Sequence, residues 1–394
     1  MLRKIGTLNF IQQFKYGALT VTLPLYLISR GIDVGEIGLI LSLLPLAFLL
    51  VRTISSVFAD VMGVKPFFIA NMVFHTITNL ILLFAKTPLQ FGLGKISEGS
   101  TDACFWAVDR TAIMERTHEK RYLTLMGVVR SFGAALGLIG AGLIIAYLSF
   151  DVVFAVLIGI GIIGILISLT LVNRGANMEK PDWKSLFAIR KRHLDFWHVS
   201  AAIVLVNVSF MLMFAFLLPV MMDIDLGMSY LEIAVMLTAF YVSVGMGSLL
   251  SVRMKMEEGK LLFFQLMTIP MVIMLPLAGP YFSAVLLMAG FGFGVCFGLN
   301  EGMIGYLVEA GKKGVSSRIA TLIAPTNLGA FVVFAGAGFA LEAFGTEAMF
   351  VFSAVLLSGF VVLGKKIMDD FDGKKKKTII EYHPHRGPVA QTGK

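Results

Sequence analysis

The chain has 394 residues, of which 57% are hydrophobic and only 15% are charged, and its mean hydropathy is +0.84. Soluble domains carry about 25% charged residues, so this composition excludes an ordinary water-soluble protein and indicates an integral membrane protein. The net charge of +8 forms no basic domain, because the Lys and Arg residues lie between long apolar runs, and nucleic-acid binding is therefore excluded. The two cysteines both lie inside apolar runs, which argues against a disulfide framework and a cysteine metal site.

The apolar runs predict twelve transmembrane helices. A helix that crosses a bilayer needs about 20 apolar residues, and the runs are separated by clusters of charge, glycine and proline. The first run is followed by no small-residue cleavage site and is expected to remain as helix one. The predicted helices are 5–28, 37–58, 66–86, 89–110, 123–148, 151–172, 198–222, 231–252, 261–279, 282–308, 319–342 and 347–364.

The distribution of basic residues predicts the orientation. Lys and Arg are retained on the cytoplasmic side of a membrane. With both termini inside, most of the 33 Lys and Arg residues fall in the inner segments, and only Arg30 and Lys86 fall in the outer loops. The sequence therefore predicts a multi-pass protein of the cytoplasmic membrane with both termini in the cytoplasm.

One long connection divides the predicted helices into two sets of six. Residues 1–172 form the first bundle, 173–197 a cytoplasmic linker, 198–364 the second bundle and 365–394 a basic cytoplasmic tail. The second part of the linker alternates apolar and basic residues, which suits a short helix lying beside anionic lipid. A solvated basic linker fits the same pattern equally well.

The two halves repeat each other. Glu36-Ile37 recurs as Glu232-Ile233, and Gly140-Ala141-Gly142 recurs as Gly336-Ala337-Gly338, each 196 positions later. An offset that spans six helices preserves their direction, so the halves are parallel repeats about an axis along the membrane normal. Two such bundles enclose a cavity between them, and rocking one against the other exposes it to alternate sides.

Several segments resemble the major facilitator superfamily. Residues 56–65 read SVFADVMGVK, which is similar to the family pattern G-x-L-A-D-R-x-G-R-K but has Ser, Val and Val at its first glycine and two arginines. Residues 95–99 read KISEG, similar to the family's R-x-x-Q-G. Gly133, Gly137 and Gly142 have the spacing of the antiporter pattern G-x-x-x-G-P-x-x-G-G, with Leu138 in place of its proline.

The resemblance implies an all-α membrane protein of twelve transmembrane helices in two six-helix parallel repeats, acting as a secondary transporter. Its expected partners are the bilayer, a small-molecule solute and protons as the coupling ion, with a monomeric assembly. No cofactor is implied. An enzyme is not expected, because the sequence holds neither a phosphate-binding G-x-x-x-x-G-K-[ST] loop nor an H-E-x-x-H pair.

Charged residues inside the predicted spans are the candidates for function. A charge in hydrocarbon costs at least about 3 kcal/mol, so such residues should face a cavity or one another. Lys95, Asp102 and Asp109 are seven residues apart on helix four and form one stripe, with Glu98 beside it. Depth estimates put Lys15 and Arg130 at the level of Asp102.

These positions lead to a specific hypothesis. Asp102 or Glu98 changes protonation during the transport cycle, while Lys15, Lys95 or Arg130 contacts a polar or anionic part of the solute. A static ion pair that only joins helices four and five is the alternative. His75, with no second His or Cys at ligand spacing, is expected to be a hydrogen-bonded packing residue.

Fewer candidates lie in the second half. Glu301 is its only deep charge and is predicted to belong to the solute cavity together with Asn327. For Asn327, hydrogen bonding to neighbouring helices is the stronger alternative. Arg52 of helix two fits the cavity or the cytoplasmic loop region equally.

A gating latch is predicted at the cytoplasmic end of helix two. The resemblance implies that Asp60, with Lys65 beside it, pairs there with Arg110 or Arg116 or lies against the N-terminus of predicted helix eleven, and that the latch favours the outward-facing state. A purely topogenic charge cluster is the weaker account, because sorting needs no aspartate.

Three functions remain open. The first is a transporter that moves a small organic solute by alternating access, proton-coupled, with efflux of amphipathic compounds as one form. The second is an organic-anion transporter or facilitator, which four buried cations against three acids favour slightly. The third is a receptor or scaffold on the same fold that transports nothing.

Overall fold

The protein is described by a computed structural model that covers residues 2–114, 121–173, 194–253, 258–308 and 315–381. Within those segments the chain is helical and contains no β-strand. The linker helix predicted within 173–197 lies almost wholly outside the described residues.

The first half contains six helices. They are α1 (Leu2–Ser29), α2 (Val34–Met62), α3 (Lys65–Phe84), α4 (Pro88–Met114), α5 (Arg121–Tyr147) and α6 (Phe150–Leu169). The connections between α1 and α2, α3 and α4, and α5 and α6 hold only two to four residues. Antiparallel neighbours in a bundle require such short links.

The second half is less regular. Helix α7 (Leu194–Leu212) continues through two π-helical segments, Met213–Leu217 and Met221–Asp225, which flank Leu218–Val220. Pro219 lies between these segments and has no N–H to donate, which accounts for a change in hydrogen-bond register there. The other helices are α8 (Tyr230–Arg253), α9 (Glu258–Met274), α10 (Phe282–Val308), and α11 and α12, the two parts of Val315–Glu381.

Gly345 separates α11 (315–344) from α12 (346–381). Its φ of 80° and ψ of 171° are outside the helical range, and that positive φ is accessible to glycine without strain. The sequence predicts that the last helix ends near residue 364, whereas α12 continues to Glu381. The added segment consists mainly of Lys, Asp and Ile, which are compatible with a helix that leaves the membrane.

Eight described helices are long and apolar enough to cross a membrane, among them the segment Ala320–Ile367 that contains the break at Gly345. Helices α1 and α4, with 28 and 27 residues, are long enough but fall outside this set. Both carry the polar and charged side chains of the first half, which lower their hydropathy. These two helices therefore require partners that cover their polar faces.

The helices pair in the same way in each half. Helix α1 packs along α5 and α2 along α4, while α7 packs along α11 and α8 along α10. Between the halves, α2 packs on α11 and α5 on α8. A shift of 196 positions converts each of these pairs into its counterpart, as the sequence repeat predicts.

The halves are in close contact at the end of the bundle that holds the short connections 30–33, 85–87 and 148–149, which we call the short-loop end. A Cβ atom on Gly142 of α5 would lie 2.0 Å from the Cβ of Ala234 of α8. A Cβ on Gly38 of α2 would lie 2.9 Å from the backbone nitrogen of Gly338 of α11. The shift of 196 positions converts Gly142 into Gly338 and Gly38 into Ala234, so these two contacts, the glycine seal, are related by the repeat.

Candidate functional site

The ionisable side chains inside the first bundle are buried in the protein interior. Six of them come from α1, α4 and α5, and most of these six have less than a tenth of their surface exposed. In the hydrocarbon region a charge of this kind is stable only with a partner. The structure joins them into three ion pairs: Lys15 with Asp102, Lys95 with Glu98, and Arg130 with Asp109.

The first pair joins α1 to α4. Lys15 Nζ lies 2.7 Å from Asp102 Oδ1, and Gln12 Nε2 donates to the same oxygen at 2.6 Å. Gln12 in turn accepts a hydrogen bond from Asn71 Nδ2 of α3 at 2.9 Å, and Asn71 also donates to the carbonyl of Thr101 at 2.9 Å. The orientation of the Gln12 amide is therefore fixed from both sides.

The two oxygens of Asp102 differ in their surroundings. Both donors converge on Oδ1, whereas Oδ2 has no hydrogen-bond partner among the described residues and is not among the buried unpaired atoms. The Asp102 side chain is 10% exposed, and that of Lys15 is 0% exposed. One carboxylate oxygen is thus anchored, and the other retains accessible surface.

The pair of Arg130 and Asp109 joins α5 to α4, and here both carboxylate oxygens accept hydrogen bonds. Asp109 accepts from Asn9 Nδ2 on one oxygen, at 2.8 Å, and from Arg130 on the other. Asn9 also accepts from Arg130 Nε at 2.9 Å, so the amide, the carboxylate and the guanidinium form a closed triad. The indole of Trp106 lies under the guanidinium at 4.9 Å. Asp109 is fully buried, and the Arg130 side chain is 16% exposed.

The pair of Lys95 and Glu98 lies within α4. Lys95 Nζ donates to Glu98 Oε2 at 2.7 Å, three residues along the same helix face. Both side chains are less than a tenth exposed. The pair neutralises the part of α4 nearest the short-loop end without contacting another helix through an ion pair.

These pairings change two expectations. The sequence predicts a cluster of Lys15, Asp102 and Arg130, whereas Arg130 pairs with Asp109, two helical turns or about 10 Å farther along α4. Lys15, Lys95 and Arg130 each have their own acid, and the guanidinium of Arg52, the fourth buried cation, lies 5.5 Å from the Phe48 ring. The charge count therefore gives little preference for an anionic solute.

The second half presents apolar and amide groups to the interior. Asn327 donates to the carbonyl of Ile323 at 3.3 Å, one turn earlier in its own helix. Asn300 Oδ1 and Thr326 Oγ1 are buried and have no partner in the part of the chain that the structure describes. The side chain of Glu301, a predicted cavity residue, lies outside the described side chains.

An aromatic cluster fills the space between α7, α8 and α10. Its centre is Phe210, whose ring centroid lies 5.2 Å from Phe214 and 4.8 Å from Phe297, with the stacked Phe240 at 6.1 Å. Tyr241 adjoins Phe214 at 5.4 Å. No such cluster is predicted from the sequence, although the four-residue spacing of Phe210 and Phe214 is a signal for it.

The predicted latch region lies at the opposite end from the seal. Asp60 is buried near the end of α2, and Lys65 is the first residue of α3. Gly63 between them has a φ of 79°, which explains why the turn requires glycine. Asn173 bridges the turn, donating to the carbonyl of Met62 at 2.8 Å and accepting from the backbone N–H of Lys65 at 3.1 Å. The side chain of Arg110 lies outside the described side chains.

His75 lies in the core of the first bundle, with Nε2 3.0 Å from the carbonyl of Leu157. Across the described segments, no group of three or more His, Cys, Asp or Glu side chains is arranged to hold a metal ion.

Comparison with solved structures identifies similar folds. The nucleoside transporter NupG has a TM-score of 0.70 at 15% identity, covering 94% of this chain and 98% of that one. The E. coli fucose:proton symporter FucP has a TM-score of 0.65 at 13% identity, covering 93% and 98%. At these identities the likeness concerns the fold alone.

Sequence comparisons give a relative and a family. The multidrug resistance protein MdtD of Citrobacter koseri is 24% identical over 169 residues, which is 41% of this chain but only 35% of that protein. The model of the Major Facilitator Superfamily matches residues 5–317. With a matching family model over most of its length, the chain belongs to the major facilitator superfamily of membrane transporters and is not an enzyme.

Proposed function

We propose that the protein is a proton-coupled secondary transporter that moves a small organic solute by alternating access, and that Asp102 carries the proton. The observation that supports this most is the open Oδ2 of Asp102 beside an Oδ1 anchored by Lys15 and Gln12. A carboxylate that cycles its proton needs one accessible oxygen and a neighbour that tolerates both charge states. The Lys15 ammonium and the Gln12 amide hold the Asp102 carboxyl in place in both its protonated and its ionised form.

The other acids fit this role less well. Both oxygens of Asp109 accept hydrogen bonds within a closed triad, and its side chain is 0% exposed. Glu98 is 3% exposed and pairs within its own helix. We assign Asp109 to holding α1, α4 and α5 together, and keep Glu98 as a secondary proton group.

Lys15 acts as the counterion of Asp102 in this proposal and not as a solute contact. Its ammonium lies behind the carboxylate and has no exposed surface. Lys95 is similarly committed to Glu98. Of the three cations that the sequence analysis offers as solute contacts, Lys15, Lys95 and Arg130, we therefore retain only Arg130.

Arg130 is the cation available to a solute. Its Nε and one terminal nitrogen are engaged with Asn9 and Asp109, while Nη1 has no partner among the described side chains. The guanidinium is near enough to Tyr241 of α8 to interact with it electrostatically. Together with Trp106 and the aromatic cluster, this arrangement suits an amphipathic solute with an apolar ring and a hydrogen-bond acceptor. Asn327 and Glu301 would complete the site from the second half.

An organic anion is the second candidate, supported by Nη1 of Arg130, which has no partner among the described side chains. In either case the glycine seal closes the short-loop end, which the distribution of basic residues makes the outer end. The transporter is then sealed on the outside in this structure, with both termini in the cytoplasm, and works as a monomer in the cytoplasmic membrane. The latch of Asp60, Lys65 and Arg110 would close the opposite end in the alternate state.

Reconstituted protein tests the proposal. Uridine, L-fucose and ethidium serve as three chemically different probes in proteoliposomes, with and without an imposed pH gradient. Accumulation of one probe driven by the gradient supports proton-coupled transport. Counterflow that does not depend on the pH gradient would favour a facilitator. If the protein is stable but shows no counterflow of any probe, a receptor or scaffold would be favoured.

A further inference from the structure

A groove of about 440 Å³ lies between the start of α1 and the end of α6, away from the ion pairs. Its polar rim consists of Arg3, Lys4 and Thr170, and its wall of Ile163, Leu166 and Ile167. Both helices end here at the face opposite the glycine seal, where a bilayer's headgroups meet its acyl chains. The groove thus combines cationic and apolar surfaces at one membrane level.

The two cations are held differently. Lys4 Nζ donates to the hydroxyl of Thr170 at 2.9 Å and to its carbonyl at 3.3 Å, which fixes the ammonium against the end of α6. The Arg3 guanidinium is exposed and makes no hydrogen bond or ion pair within the described residues. The described residues that line the groove include no acid. Its rim therefore offers a fixed and a free positive charge to an anion.

The wall suits an acyl chain. Ile163 and Leu166 are 55% and 60% exposed on the outward face of α6. Exposed aliphatic side chains of this kind face lipid tails in a membrane protein. Charge and apolar wall together distinguish this groove from a site for a free inorganic anion.

We infer that the groove binds one anionic phospholipid, with the phosphate between Arg3 and Lys4 and an acyl chain along Ile163 and Leu166. Basic pockets between helices on the cytoplasmic side recognise acidic headgroups in this way. The site is separate from the proposed solute site, and its occupancy is measured without transport.

Native mass spectrometry of the purified protein tests this inference. The probes are dioleoylphosphatidylglycerol, dioleoylphosphatidylcholine and inorganic phosphate. The variants are the double substitution R3Q/K4Q, the groove-filling I163W, and K86Q as a control that removes an exposed charge at the short-loop end. Circular dichroism verifies that each variant is folded.

The inference predicts that the wild type binds phosphatidylglycerol more tightly than phosphatidylcholine. Each cation near an anionic headgroup strengthens binding about fivefold, so R3Q/K4Q should weaken phosphatidylglycerol binding roughly 30-fold. I163W should weaken it with the cations intact, and K86Q should leave it unchanged. Equal binding of the two lipids, equal loss in K86Q, or full competition by inorganic phosphate would overturn it.

Discussion

Helices α4 and α10 occupy equivalent positions in the two halves and differ sharply in composition. At a shift of 196 positions, the three acids of α4, Glu98, Asp102 and Asp109, correspond to three glycines of α10, Gly294, Gly298 and Gly305. Lys15 and Arg130 correspond to Met211 and Thr326. At these aligned positions the repeat thus carries charged residues in one half and uncharged residues in the other.

The difference follows from what each helix packs against. A Cβ on Gly294 would lie 2.0 Å from the carbonyl oxygen of Val244, and one on Gly298 only 1.5 Å from Ser251 Oγ. Helix α10 therefore approaches α8 through backbone contact, which leaves no room for side chains. Helix α4 uses its equivalent positions for ion pairs. At the aligned positions, close packing and charge chemistry are therefore alternative uses of the helix, the first in α10 and the second in α4.

The largest effect is expected for Gly294→Val. The new side chain must push the α8 backbone away, so we expect little monodisperse protein in size-exclusion chromatography. Gly336→Val is the matched control, because no atom lies within 4 Å of a Cβ at that glycine. Equal behaviour of the two variants would contradict a packing role for the α10 glycines.

Asp109→Asn should be the next most damaging change. It leaves the Arg130 guanidinium inside the bundle without its carboxylate, and breaking a buried pair costs about 3–5 kcal/mol. Thermal unfolding should show a large fall in Tm. Asp102→Asn mimics the neutral, protonated form that the proposed transport cycle visits with Lys15 in place, so its fall should be clearly smaller. A larger fall for Asp102→Asn would reverse the roles assigned to the two acids.

Gly338→Leu tests the glycine seal. Overpacking costs about 1–3 kcal/mol, which would shift the equilibrium away from the sealed state roughly 5- to 150-fold. Spin labels at the exposed residues Lys86 and Tyr281, one in each half, should report longer distances by pulsed EPR. Gly336→Leu, two residues earlier on α11, should leave the distance distribution unchanged. Unchanged distances in Gly338→Leu would show that the glycine seal does not hold the two halves together.

The smallest effect is expected for Glu342→Gln. The Glu342 carboxylate of α11 accepts from the backbone N–H of Gly35 at 2.8 Å and so caps the first turn of α2 across the seal. Removing its charge should cost about 1 kcal/mol and shift the same EPR distances in the direction of Gly338→Leu, but less. A shift as large as that of Gly338→Leu would mean that the carboxylate and not the glycines carries the seal.

The sequence predicts the family, the helix order and the repeat, because these depend on long apolar runs and a constant offset that any local error leaves intact. It also identifies the set of buried charges. The sequence does not show which of these charges pair with one another, because Asp102 and Asp109 lie only two helical turns apart along α4. The seal has a signal in the sequence, since Gly38 and Gly142 recur as Ala234 and Gly338, but only the structure brings the four residues together.

The amides and the π-helical segments leave weaker traces. Asn9 and Gln12 are three residues apart on one face of α1, yet nothing in their spacing indicates that they bind different acids. The π-helical segments of α7 lie in an apolar run of ordinary composition, with only Pro219 to mark them. Tertiary packing decides both features.

The central claim is that Asp102 carries the coupling proton while Asp109 only holds the bundle together. The most direct test measures probe transport by Asp102→Asn in proteoliposomes as counterflow and as accumulation driven by a pH gradient. We predict that counterflow persists and that gradient-driven accumulation is lost. Accumulation by Asp102→Asn equal to that of the wild type would contradict the claim.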